Sequence, residues 1–152
     1  MSQPVSFPSA SPRHALPFLF VAQAQKEFFV NEALARIDML LHTAVEGEAD
    51  APPVAPADGE CWIVGSAPAG DWAGNAGALA CWQSGNWLFA TPPSGARVFD
   101  KATGQQAHFD NGWNRAAAVA APAGGSVQDS EARTSIAGLI AALASAGILS
   151  GA

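Results

Sequence analysis

Apolar and polar positions recur along this chain with two different periods, and the change of period separates its parts. From Ala22 to Ala44 the apolar residues Val30, Ala33, Leu34, Ile37, Leu40, Leu41 and Ala44 return at spacings of three and four, with Lys26, Glu32 and Arg36 elsewhere on the wheel. That period predicts one amphipathic helix. Its heptad-like spacing suits a trimeric seam, and a stripe of this width also suits packing against a sheet.

Between residues 59 and 118 the period shortens to two. Short strands are predicted near 60–64, 78–83, 86–91, 96–100, 105–109 and 112–116, separated by Gly, Asn and Asp, as in an antiparallel meander. Two turns carry most of the information. In Trp82-Gln83-Ser84-Gly85-Asn86-Trp87 a two-residue Ser84-Gly85 loop sets Trp82 opposite Trp87, and in Phe109-Asp110-Asn111-Gly112-Trp113 the Asn-Gly pair is a strong hairpin signal. Cross-strand aromatic pairs of this kind stabilise a ribbon by roughly 0.2 to 1 kcal/mol each.

The helical period returns at the end of the chain. A helix is predicted from Asp129 or Ser130, carrying Ile136, Leu139, Ile140 and Leu143 until Gly147 stops it. Its narrow stripe suits either self-association or docking on its own β domain. The predicted organisation is therefore α+β: a Ser/Pro-rich flexible arm over 1–15, an amphipathic helical segment over 16–46, and a Pro-rich linker over 47–58. A Trp-rich antiparallel β domain over 59–118 follows, then a hinge and short C-terminal helix over 119–152.

Composition sharpens this picture. Hydrophobic residues make up 49% of the 152, but much of that share is Ala, and Gly and Pro are abundant at 15 and 11, so part of the core is expected to be shared between subunits of an oligomer, read as a trimer. A formal charge of -6, without any cluster of Lys and Arg, argues against a nucleic-acid surface. No apolar run approaches the roughly 18 to 20 residues of a membrane span, and Met1–Ser11 lacks the basic lead of a signal peptide, so synthesis in the cytoplasm is expected. Cys61 and Cys81 fit neighbouring strands and are read as reduced and buried thiols.

The pattern offers little chemistry. His14, His42 and His108 are scattered without metal-ligand spacing, and no nucleophile elbow, Walker loop or dinucleotide fingerprint is present, so neither catalytic residues nor a metal or cofactor are assigned. Glu60, Asp71, Asp100 and Asp110 are the carboxylates that a polysaccharide hydrolase could use, but Asp100 and Asp110 flank turns, where Asp commonly bonds the backbone. The aromatics are more informative. Five Trp and eight Phe without any Tyr either fill a thin core or form a platform for sugar rings, giving Trp72, Trp82, Trp87, Phe109, Asp110, Asn111 and Trp113 as candidate glycan-binding residues. Trp72, in the aperiodic loop Gly70-Asp71-Trp72-Ala73-Gly74-Asn75, is expected to be the most exposed.

Several segments together resemble a phage and prophage family known as domain of unknown function 2793. They are Gln23-Ala24-Gln25-Lys26, Asn31-Glu32-Ala33-Leu34 with Asp38, Ala51-Pro52-Pro53, Pro56-Ala57-Asp58-Gly59-Glu60, Trp72-Ala73-Gly74 and Ala80-Cys81-Trp82-Gln83-Ser84-Gly85-Asn86-Trp87, in family order over residues 16–101. Phe28-Phe29-Val30 is more apolar than the family pattern, and the two cysteines do not belong to it. The resemblance implies a non-enzymatic virion component, a tail-fibre or head-spike protein of a phage or gene transfer agent, made and assembled in the bacterial cytoplasm. The expected partners are further copies of the chain, other virion proteins through the N-terminal arm, and host surface polysaccharide, without nucleic acid or membrane insertion. The alternatives are a structural adaptor linking a receptor-binding protein to the particle, and a capsule-degrading hydrolase.

Overall fold

The computed structural model describes residues 10–20, 26–125 and 129–150. Among them are two helices and eight short strands: α1 (Lys26–Leu40), β1 (Ala44–Val45), β2 (Glu48–Ala49), β3 (Cys61–Val64), β4 (Leu79–Gln83), β5 (Asn86–Ala90), β6 (Arg97–Asp100), β7 (Gln105–Phe109), β8 (Trp113–Arg115) and α2 (Ser130–Ser145). The α+β class is as the two periods predicted. The chain divides into two compact units, residues 1–92 and 93–152, and the division falls inside the span read as a single β domain.

In the first unit the strands run β2-β3-β4-β5. The pairs β3–β4 and β4–β5 are antiparallel, but β2 lies parallel to β3, with Glu48 opposite Ile63, so the sheet is mixed rather than a pure meander. The expected linker thus begins with a strand. Residues Glu48 and Ala49 complete the edge of the sheet before Pro52 and Pro53 stop further pairing. Val64, Trp72 and Ala80 form a buried cluster on this sheet, with Ala49, Trp62, Trp87 and Phe89 packed around it.

Helix α1 is shorter than the pattern implied, and it is rotated. Residues 22–25 lie outside the described residues, and the helix ends at Leu40, because His42 takes a positive φ of 45° and Ala44 enters a strand. The buried face is Glu27, Asn31, Ala35, Asp38 and Met39, whereas Val30, Ile37, Leu40 and Leu41 of the predicted stripe are exposed. Hydrogen bonds explain the inversion. Asp38 accepts from the Ser11 hydroxyl at 2.7 Å and from the backbone N–H groups of Arg13 at 3.0 Å and His14 at 2.6 Å. Asn31 exchanges two bonds with the backbone of Leu19. Buried polar groups satisfied in this way lose the desolvation penalty that would otherwise turn them outward.

The same segment caps the helix. The Arg13 guanidinium donates to the carbonyls of Asp38 and Met39 at 2.8 Å and of His42 at 3.1 Å, satisfying acceptors that the helix end leaves open and placing a cation at the negative end of its dipole. On the opposite flank Arg36 pairs with Glu32 at 2.9 Å and donates to the Phe89 carbonyl of β5, which fixes α1 to the sheet.

In the second unit β6, β7 and β8 are antiparallel, with Arg97 opposite His108 and Phe109 opposite Trp113. Val98, Asp100, Gln105 and Ala107 are buried on one face. Helix α2 starts where expected, with the Asp129 carboxylate accepting from the Ala132 N–H. It ends at Gly147, whose φ of 68° and the bond from Ile148 N–H to the Leu143 carbonyl form a Schellman-type cap. Gly147 is held to glycine a second way, since a Cβ there would sit 3.2 Å from the Phe99 ring. None of the α2 residues is buried, and Ile136, Leu139 and Leu143 face outward.

Candidate functional site

Each unit carries one group of aromatic side chains. In the first, the hairpin β4–β5 turns through Ser84 and Gly85, both with positive φ, which is the type I′ geometry that matches strand twist. Trp82 and Trp87 are opposed as the two-residue loop required, with ring centroids 5.0 Å apart. Trp87 then meets Trp72 edge-on at 5.1 Å, and Trp72 meets Trp62 at 6.4 Å. Trp82, Trp87 and Trp62 are half-buried. At the turn, the Asp58 carboxylate accepts from Ser84 N–H and the Asn86 amide donates to the Ser84 carbonyl. Polar groups thereby rim the Trp82–Trp87 pair.

Trp72 is 0% exposed, which corrects the expectation that it is the most accessible of the set. Its loop folds back onto the sheet because Asp50 holds it: the Asp50 carboxylate accepts from Ala67 N–H at 3.0 Å and its carbonyl from Ala69 N–H at 2.7 Å. A short 3-10 turn over Gly70–Trp72 then drives the indole into the core. Lack of alternation marked a plug, not a platform.

In the second unit Phe109 and Trp113 pair edge-to-face at 5.3 Å across β7 and β8, both half-buried, with Asp110 and Asn111 exposed in the turn. The register leaves three residues in this loop, Asp110 to Gly112, with the left-handed position taken by Asn111 at a φ of 53°. The predicted strand start at residue 112 is therefore one residue early.

Of the two turn carboxylates, Asp100 bonds the backbone as its position suggested, whereas the Asp110 carboxylate lies near the Ser94 and Asn111 side chains. Asp100 is 1% exposed and accepts from Ala102 N–H at 2.9 Å, from Thr103 N–H at 3.3 Å and from Arg115 Nε at 2.7 Å. The two backbone bonds close the β6–β7 turn, and the third ties β8 to it. Asp110 stays at the surface, 3.5 Å from the Ser94 hydroxyl. Among the described residues no group of three His, Cys, Asp or Glu is placed to hold a metal ion, and no helix is long and apolar enough to cross a membrane.

Cys61 and Cys81 are free, buried and directly opposite each other on β3 and β4. The Cys61 thiol points to the Gly59 carbonyl at 3.7 Å and the Cys81 thiol to the Trp82 carbonyl at 4.0 Å, and the interaction between the two thiols holds Cys61 below the usual thiol range and, together with burial, pushes Cys81 well above it. One further feature escaped sequence reasoning. A recess of about 340 Å³ in the second unit is lined by Arg97, Gln106, His108, Arg115, Ala116 and Ile148. The β6–β7 register sets Arg97 and His108 on one face, and nothing local in the sequence marked the wall supplied by Ile148.

With this geometry in place, comparison with known families matches the model for a protein of unknown function, DUF2793, over residues 30–114, more than half of the chain. The chain belongs to the DUF2793 family. The matched span starts within α1 and ends in β8, so it includes both aromatic pairs and the Asp38 hub. No curated protein matches the chain.

Proposed function

We propose that this DUF2793 protein is a non-enzymatic component of a phage or gene-transfer-agent particle, a tail-fibre or head-spike protein that attaches to host surface polysaccharide through Trp82–Trp87 and Phe109–Trp113. The observation that carries this reading is the form of the two pairs. Each is a cross-strand aromatic couple at a rigid turn, half-buried, with exposed hydrogen-bonding side chains beside it: Asp58 and Asn86 for the first, Asp110 and Asn111 for the second. A sugar ring offers an apolar C–H face and a rim of hydroxyls, and such couples complement both. Trp72, sealed in the core, supports the platform from beneath and leaves the set of contact residues.

Self-association is part of the proposal. Phe29 at 80% exposure lies with Val30, Ile37, Leu40 and Leu41 on the outward side of α1, and isolated apolar faces of this extent usually meet a partner. The spacing of Val30, Ala33, Ile37 and Leu40 is the three-four alternation of a coiled-coil seam, which favours further copies of the chain, as a trimer. Other virion proteins are reached through residues 1–9 of the N-terminal arm, which lie outside the described residues; Ser11, Arg13 and His14, read with them as a flexible arm, are instead held on α1 by Asp38.

A structural adaptor is the second reading, and the exposed apolar faces of α1 and α2 favour it, because both suit protein partners. Indole NMR separates the two. Addition of a bound polysaccharide should shift the Nε1–H signals of Trp82, Trp87 and Trp113 while leaving Trp72 in place. Indole signals unmoved by any host polysaccharide would favour the adaptor.

A further inference from the structure

The recess in the second unit is a cationic site in an acidic chain. Residues 1–92 contain nine acidic and three basic side chains, which account for the whole formal charge of -6, whereas residues 93–152 contain four of each. Two of those four cations, Arg97 and Arg115, border the recess together with His108, and none of its lining residues is acidic; Arg115 pairs with Ala107 on the opposite face of the sheet, so Arg97 is the guanidinium that faces the recess. Arg115 is held from behind by Asp100 at 2.7 Å. Arg97 and His108 stand opposite each other on β6 and β7, on the face away from buried Val98 and Ala107. Their side chains have no hydrogen-bond or ion-pair partner among the described residues. The far wall is built by the chain after α2: Gln106 N–H donates to the Gly147 carbonyl, and Leu149 bridges to Ala116, which sets Ile148 at the rim.

A cavity near 340 Å³ lies at the small end of ligand sites, the size of one sugar residue rather than a chain. Its lining is divided. Guanidinium, imidazole and amide donors occupy one side, and Ala116 with Ile148 make an apolar wall on the other. We infer that this recess is a subsite for an acidic sugar residue, a hexuronate unit of a polysaccharide, whose carboxylate is taken by Arg97 and whose ring rests against Ile148. A planar guanidinium binds carboxylate through two parallel bonds, and the aqueous rim leaves the sugar hydroxyls to His108 and Gln106. The inference rests on the polysaccharide reading and adds to it a charge class and a second contact point.

The test is backbone and indole NMR on the intact chain, titrated in parallel with glucuronate, glucose and acetate. Glucuronate should shift the amides of Arg97, Gln106, His108 and Ile148, glucose should leave them in place at the same concentration, and acetate should bind several-fold more weakly. Arg97→Gln, at an exposed strand position, should retain the fold by circular dichroism and weaken glucuronate roughly tenfold or more. Equal response to glucuronate and acetate, equal response to glucose, no shift at these amides, or an unaffected Arg97→Gln variant would each overturn the subsite. A neutral oligosaccharide that shifts the Trp82, Trp87 or Trp113 indoles scores the aromatic pairs alone. Indole shifts without a recess response remove only the subsite, and a recess response without indole shifts removes only the aromatic platform.

Discussion

Oxidation of Cys61 and Cys81 to a disulfide should stabilise the folded protein by about 3 kcal/mol. The two residues are Cα partners on antiparallel strands. Trp82 N–H bonds to the Glu60 carbonyl and Val64 N–H to the Ala78 carbonyl, so residues 60 and 64 occupy hydrogen-bonded positions, as by alternation does 62, and the cysteines fall at a non-hydrogen-bonded one. Such pairs hold their Cα atoms about 4.5 Å apart, inside the range a disulfide spans. Cross-linking them closes a loop of about 20 residues, for which the lost chain entropy of the unfolded state corresponds to about 3 kcal/mol. For a chain of this length that is a rise in Tm of about 10 °C. Diamide takes one hydrogen from each thiol and is itself reduced to the hydrazine, and applied in mild denaturant it reaches the buried pair. Intact mass would establish loss of two hydrogens, and calorimetry would compare oxidised and reduced forms, with Cys81→Ala as the unresponsive control. Fully oxidised protein that melts at the temperature of the reduced form, or below it, would refute this placement of the two side chains.

Three other substitutions test the fold where it departs from simple pattern. Gly65→Ala would drive a Cβ into Asp50 Oδ1 and break the bond that holds the Trp72 loop, so urea denaturation should register a loss of about 1 to 3 kcal/mol; an unchanged midpoint would contradict it. Asp38→Ala strands the Ser11 hydroxyl and the N–H groups of Arg13 and His14, at a cost of about 2 to 4 kcal/mol, and hydrogen exchange should show those two amides losing protection. Trp72→Ala should cost about 3 to 5 kcal/mol as a core truncation, and a urea midpoint near that of the parent would contradict its burial.

What could be read from the sequence was local. The Ser84-Gly85 loop fixes its own register, so the Trp82–Trp87 pair followed from it, and Asp129 and Gly147 bound α2 by chemistry contained within a turn of the helix. The face of α1 could not be read this way. Asn31 and Asp38 are buried because residues 11 to 19 return to satisfy them, and hydropathy along the helix carries no trace of that strap. The parallel pairing of β2 with β3 and the burial of Trp72 likewise depend on contacts made across the Pro-rich segment, through Asp50 above all. The candidate site divides in the same manner. Both aromatic pairs were visible in their turns, but the recess exists only because the chain after α2 runs back beside β7, a contact between residues 106 and 147.

Glycan-array binding tests the central claim most directly, with labelled protein applied to bacterial surface polysaccharides and the parent compared with folded Trp87→Ala and Trp113→Ala variants. The account predicts that the parent binds a subset of these polysaccharides and that each variant loses at least several-fold of that signal. A parent that binds none of them, or variants that bind as the parent does, would contradict it and leave the adaptor reading in its place.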